Sequence, residues 1–161
     1  MEPISFFVPG NPKTLKRHRD VKTKSGIRLR YDPSKGDKMD FLAKAMLHRP
    51  AEPTRAALCM ELICVFPRPK NHYRTGRHSG TLKDSAPFWH ISTPDADNIL
   101  KFVGDALNGI FWHDDRQVMP MGVWKVYGSP PGVLVRLFEP DANDIEFVSD
   151  GLEGACHERL S

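Results

Sequence analysis

Residues 93–118 read TPDADNILKFVGDALNGIFWHDDRQV. At about 100° per residue, Ile99, Phe102, Val103, Ala106, Leu107 and Ile110 gather on one face of a helix. Asp97, Lys101 and Asp105 gather on the opposite face, with Asn98 beside Asp105. The apolar face is suited to packing on a sheet, which makes helix-on-sheet the expected layering. Thr93-Pro94 has the form of a helix start, a hydroxyl cap with proline in the first turn. Asn108-Gly109 supplies a stop. Asp95 lies before or within the first turn, so the wheel does not set its direction.

The flanking chain extends this layering. Ile4–Val8 reads as a short strand stopped by Pro9-Gly10, and Ile27–Tyr31 as a second. Residues 33–49 are helical by pattern, with Met39, Leu42, Ala43, Met46 and Leu47 at helical spacing and Pro50 as the stop. Ala57–Phe66 is the strongest strand. Its near-continuous apolar run implies burial on both faces, with Glu61 interrupting one. Phe88–Ser92 reads as a short strand leading into the acidic segment. Val118–Tyr127 and Val133–Phe138 follow as strands, separated by the turn residues GSPPG at 128–132. The expectation is an α+β fold, a mixed β-sheet with two main helices packed on it.

Composition narrows the function classes. A chain of 161 residues, 40% apolar and 27% charged, suits one soluble globular domain. No apolar run reaches the roughly 18 residues of a membrane span. The start, MEPISFFVPGNPK, lacks a charged region before a long apolar core, so it does not read as a signal peptide. Cys59, Cys64 and Cys156 form no CxxC pair. On a strand, Cys59 and Cys64 face opposite sides, so all three read as reduced thiols and the expected location is cytoplasmic.

Residues 1–138 carry 22 basic and 13 acidic side chains, whereas residues 139–161 carry one and seven. The body is therefore basic and the tail acidic, so the expected division is a domain at 1–139 and an acidic tail at 140–161 that is expected to be mobile. Five of the body's acids fall within 95–115. One acidic focus on a basic surface suits a polyanionic partner and a cation that bridges to it. Lys13, Lys16, Arg17 and Arg19 open a basic stretch running to Arg30, in which only Asp20 opposes. Residues 68–83 add five basic residues, two histidines and no acid.

The acidic segment suits phosphodiester chemistry. Hydrolysis develops charge on the phosphate oxygens and on the entering and leaving oxygens. Mg²⁺ takes oxygen ligands and keeps several waters, so two or three carboxylates hold it without filling its shell. A neighbouring lysine stabilises the developing charge. Asp97 and Lys101 lie about 6 Å apart along the axis, and Asp95 and Asp97 meet at one structural junction. Asp114-Asp115 joins them only if the fold returns that turn to the helix. Structural alternatives exist for each. Asp95 suits a helix N-terminus, Asp97 and Lys101 an exposed pair worth about 0.2–0.5 kcal/mol, and Asp114-Asp115 a turn. His113 is not expected on magnesium, which prefers oxygen, and Phe111-Trp112 reads as packing for the helix end.

The same residues resemble the RusA family of Holliday junction resolvases. The likeness rests on Pro94-Asp95-Ala96-Asp97-Asn98, Lys101, Asp105-Ala106-Leu107-Asn108-Gly109 and Asp114-Asp115-Arg116-Gln117-Val118. It implies a RusA-like fold over residues 1–139 and catalytic roles for Asp95, Asp97, Lys101 and Asp115. The three aspartates would hold Mg²⁺, with Asn98 and Asp114 as supports. It further implies a homodimer that places paired nicks across four-way junction DNA in recombination and repair, in a phage or prophage setting. The alternatives are a less selective nuclease of forks and flaps, or a junction-binding protein that does not cut. The acidic tail and the basic loop at 68–83 lie outside the shared pattern.

Overall fold

The computed structural model describes residues 2–17, 19–22 and 26–140. The tail from 141 onward, and with it Cys156, lies outside the described residues. The main sheet contains β1 (Ile4–Pro9), β4 (Leu58–Phe66), β5 (Val118–Tyr127) and β6 (Gly132–Phe138), in the order β1-β6-β4-β5. β6 runs antiparallel to both β1 and β4, while β4 and β5 are parallel. The sheet is thus mixed, as expected. Parallel neighbours need a long crossover, and here it contains the helix α2 (Ala96–Leu107). The turn at 128–132 does not make a hairpin, because β6 pairs on the far side of β4.

The helix α1 (Lys35–Ala45) packs beside α2, with Phe41 edge-on to Phe102 at 5.8 Å. Ile99, Phe102, Val103, Ala106 and Leu107 of α2 are buried, as the wheel requires. They meet Leu58, Met60, Leu62, Cys64 and Phe66 of β4 and Val133, Val135 and Leu137 of β6. Burying each such side chain stabilises by about 1.5–3 kcal/mol. Gly109, at φ 76°, takes the left-handed turn that stops α2 after Asn108.

Several expectations need correction. α1 buries Phe41 and Ala45, whereas Met39 and Leu47 are 62% and 89% exposed. A short 3-10 turn over Met46–His48 follows α1 and takes Leu47 off the packing face. The basic stretch contains a strand the pattern did not announce: β2 (Arg19–Lys22) pairs antiparallel with β3 (Arg28–Tyr31) in a separate two-stranded sheet. The strand expected over Phe88–Ser92 reduces to one bridge, Trp89 to Val126. β4 is fully buried on the helix side only, since Glu61, Ile63 and Val65 are half-buried. Across that open face Arg136 bonds Glu61 at 2.6 Å. Cys59 and Cys64 are both buried, and neither is in a disulfide. No helix among the described residues is long and apolar enough to cross a membrane.

Candidate active site

The acidic end of α2 is built around Asp95, which is the helix N-cap in place of the expected Thr93. Its backbone is extended and its side chain makes no capping bond. Asp97 follows in the first turn, where negative charge suits the helix dipole. Lys101 Nζ donates to Asp97 Oδ2 at 3.2 Å, and both side chains are 61% exposed. The N–H of Leu15 donates to the carbonyl of Asn98 at 3.2 Å, which lays the basic segment against the first turns of α2. The N–H of Lys16 donates to Oγ of the buried Ser34 at 2.7 Å. Lys13 and Lys16 therefore stand near the acidic helix, although both pair with Asp37 at 3.3 and 2.9 Å. The bond from Lys16 outweighs burial and holds the Asp37 carboxyl below its ordinary pKa. Arg17 and Arg19 are exposed.

The second acidic region is a 3-10 turn over Asp115–Gln117, just before β5. The buried Phe111 and Trp112 anchor its approach, so both pack the helix end as expected. The N–H of His113 donates to the Thr54 carbonyl at 3.2 Å. Asp114 and Gln117 close a capping box: Asp114 Oδ1 accepts from the N–H of Arg116 at 2.9 Å, and the N–H of Asp114 donates to Gln117 Oε1 at 2.8 Å. Arg116 also grips Asp114 through Nε at 3.0 Å and Nη2 at 2.8 Å. These bonds from Arg116 hold the Asp114 carboxyl down at about 2. Gln117 Nε2 in turn donates to the carbonyls of Thr54 and Ala56, at 3.0 and 2.9 Å.

Asp115 makes a single side-chain bond of this kind, accepting from Trp112 Nε1 at 3.2 Å. It faces a cavity of about 240 Å³ that it lines together with Lys101 and Asp105. Leu100, Trp112 and Val118 supply the apolar wall. The turn before β5 therefore does fold back onto α2, meeting it at Lys101, one turn beyond Asp97. Asp105 pairs with Lys38 at 3.2 Å, and Lys38 also pairs with Asp32 at 2.6 Å. Burial alone lowers the Lys38 pKa, but the bonds to Asp32 and Asp105 outweigh it and leave the value raised. Asp105 is thus held in a local ion-pair network.

Lys101 links the two regions, bonded to Asp97 and sharing a wall with Asp115. Asp95 stands at the end of the same helix, outside the cavity lining. Among the described residues, no three acidic, histidine or cysteine side chains gather closely enough to form a ready-made metal cage. The donors present are carboxylate oxygens, the chemistry a hard cation such as Mg²⁺ takes. Such a cation is commonly bound through one or two carboxylates while keeping its water. His113 is exposed. Two contributors escape sequence reasoning, Lys38 and Lys125. Their bonds to Asp105 and to the Pro94 carbonyl span 67 and 31 residues, which leaves no local spacing to read.

Carboxylates and a lysine around one cavity, in a body that is otherwise basic, suit a nucleic-acid-processing enzyme. The family model described as endodeoxyribonuclease RusA matches residues 9–138, and the chain belongs to this family. The match includes both acidic regions and ends with β6. An uncharacterized protein of Bacillus subtilis (strain 168), YqaN, is 30% identical over 144 residues, 88% of this chain and 100% of that protein.

Proposed function

We propose that the protein is a Mg²⁺-dependent endonuclease that resolves four-way DNA junctions by paired nicks, in recombination and repair. The observation that carries this reading is the shared cavity of Lys101 and Asp115, with Asp97 bonded to Lys101, in a chain of the RusA family. Asp95, Asp97 and Asp115 would hold the cation, which must draw the three carboxylates closer together than they stand here. When bound, Mg²⁺ would supply charge neutralisation at the scissile phosphate and a more easily deprotonated water. The Lys101 ammonium, already among the carboxylates, donates to the phosphate oxygen on which charge develops. Asn98 supports the first turn of α2, and Asp114 fixes the turn that presents Asp115.

Lys13, Lys16, Arg17 and Arg19 contact DNA phosphates, with the phosphate displacing Asp37 from Lys13 and Lys16. The position of the basic segment beside α2 supports this. Paired nicks need two centres and each chain supplies one, so the working unit is a homodimer. The buried thiols of Cys59 and Cys64, neither in a disulfide, support a cytoplasmic setting.

The test is incubation with a mobile four-way junction, a fork and linear duplex, in Mg²⁺ and in EDTA, with the nicks mapped. Symmetric nicks on the junction in Mg²⁺ alone are expected. Equal cutting of the fork would replace junction resolution with a less selective nuclease, and binding without nicks would replace it with a junction-holding protein.

A further inference from the structure

We propose that Lys125 is a positioning residue for the acidic end of α2: its ammonium clamps the backbone immediately before Asp95 and thereby aims Asp95 and Asp97. This inference rests on the nuclease reading above. Lys125 lies on β5 opposite Cys64 of β4. Its Nζ donates to the carbonyls of Ser92 and Pro94, each at 2.6 Å. The two carbonyls bracket Thr93, and the second belongs to the residue preceding the Asp95 N-cap. The backbone of Lys125 joins in, because its carbonyl accepts from the N–H of His90 at 2.9 Å. One residue therefore holds the segment leading into α2 at two levels.

Beyond His90, which is buried and stacks on Phe66 at 3.9 Å, that segment has little else to fix it. Ile91 is 91% exposed, Ser92 and Thr93 are exposed, and the strand pairing before them is a single bridge. No apolar side chain among Ile91, Ser92 and Thr93 is buried to anchor the turn. Asp95 makes no capping bond of its own, so the direction of its carboxylate follows from where its backbone is held. Two short charge-assisted bonds are strong anchors. A misplacement of about 1 Å in such a site costs about 10²-fold in rate.

The sign of the charge adds weight. A cation beside a helix N-terminus opposes the macrodipole, so the helix itself does not favour a lysine there. Carboxylates at that terminus and carbonyls turned towards β5 do. The ammonium also lies inward, close enough that its field adds to burial in lowering the His90 imidazole pKa.

The test compares Lys125→Met, which keeps the stem and removes the donors, with Lys125→Arg, which keeps two donors in reach. Amide hydrogen exchange of the metal-free protein is read over 91–99, together with junction cleavage across a Mg²⁺ titration. Lys125→Met is expected to exchange faster over 91–99 with protection in β4 and β6 unchanged. It is also expected to cut about 10²-fold more slowly, with half-maximal rate at higher Mg²⁺. Lys125→Arg recovers most of the protection and the rate. Unchanged exchange over 91–99 in Lys125→Met would overturn the clamp. Faster exchange with wild-type cleavage would overturn the positioning role, as would a rate loss that Lys125→Arg does not relieve. A wild-type protein that cuts nothing would defeat the nuclease reading itself and the positioning role with it, whereas the exchange result reports on the clamp independently of cutting.

Discussion

The turn before β5 lines the cavity beside Lys101, whereas Asp95 and Asp97 stand beyond its lining, and the two acidic regions are held in opposite ways. In the turn before β5, Asp114 is tied by a capping box and by the Arg116 guanidinium. At the start of α2, Asp95 caps nothing with its side chain, and Asp97 has one exposed pairing with Lys101. Asp115 sides with the α2 residues: it is exposed and makes one bond to Trp112. The difference teaches how to separate adjacent carboxylates that look alike in sequence. Asp114 has its acceptor capacity used by its own turn, whereas Asp115 faces the cavity with one bond and keeps lone pairs to bind there.

The largest effects should come from the loosely held carboxylates. Asp97→Asn and Asp115→Asn are each expected to lower junction cleavage by about 10²–10³-fold. Junction binding in EDTA should survive, and stability should stay within about 0.5 kcal/mol of wild type. Full activity of either variant in Mg²⁺ removes that residue from the reacting set. Lys101→Ala should follow with about a 10²-fold loss in cleavage, and an unchanged single-turnover rate would remove the lysine from the mechanism.

Asp114→Ala should show the contrary pattern, a lowered thermal midpoint with a smaller loss of cleavage, about 10–100-fold. If its midpoint is unchanged, the capping box is not what holds the turn. The smallest effect is in acid. The Asp114 carboxyl is depressed to about 2 in the folded chain, against about 3.9 when unfolded. Its contribution to stability is present above the unfolded value and is lost as pH falls through the folded one. Asp37, also lowered, acts with the same sign. Urea unfolding from pH 5 to pH 2 should therefore show a flatter acid decline for Asp114→Ala than for wild type. Parallel declines would contradict the assignment.

How much of this was legible depended on whether the cause was local. The α2 wheel and the Gly109 stop are local patterns, and the buried face follows them. The strands β4, β5 and β6 also show in the sequence, but the placement of β6 between β1 and β4 does not, because strand order is a long-range choice. Met39 and Leu47 are apolar at helical spacing and yet exposed, since α1 turns Phe41 towards Phe102 instead. Within the site, the family resemblance, and not spacing alone, singled out Asp95, Asp97, Lys101 and Asp115 from their neighbours. It did not reveal that Asp115 meets α2 at Lys101, nor that Lys125 grips the carbonyls before Asp95.

The central claim is that Asp115 works in the cavity while Asp114 only shapes the turn. Single-turnover cleavage of a four-way junction in Mg²⁺ by wild type, Asp115→Asn and Asp114→Asn tests it most directly. Paired symmetric nicks are expected from wild type, with a smaller loss of rate in Asp114→Asn than the loss of about 10²–10³-fold in Asp115→Asn. Cutting by Asp115→Asn at the wild-type rate, or equal loss in both variants, would contradict it.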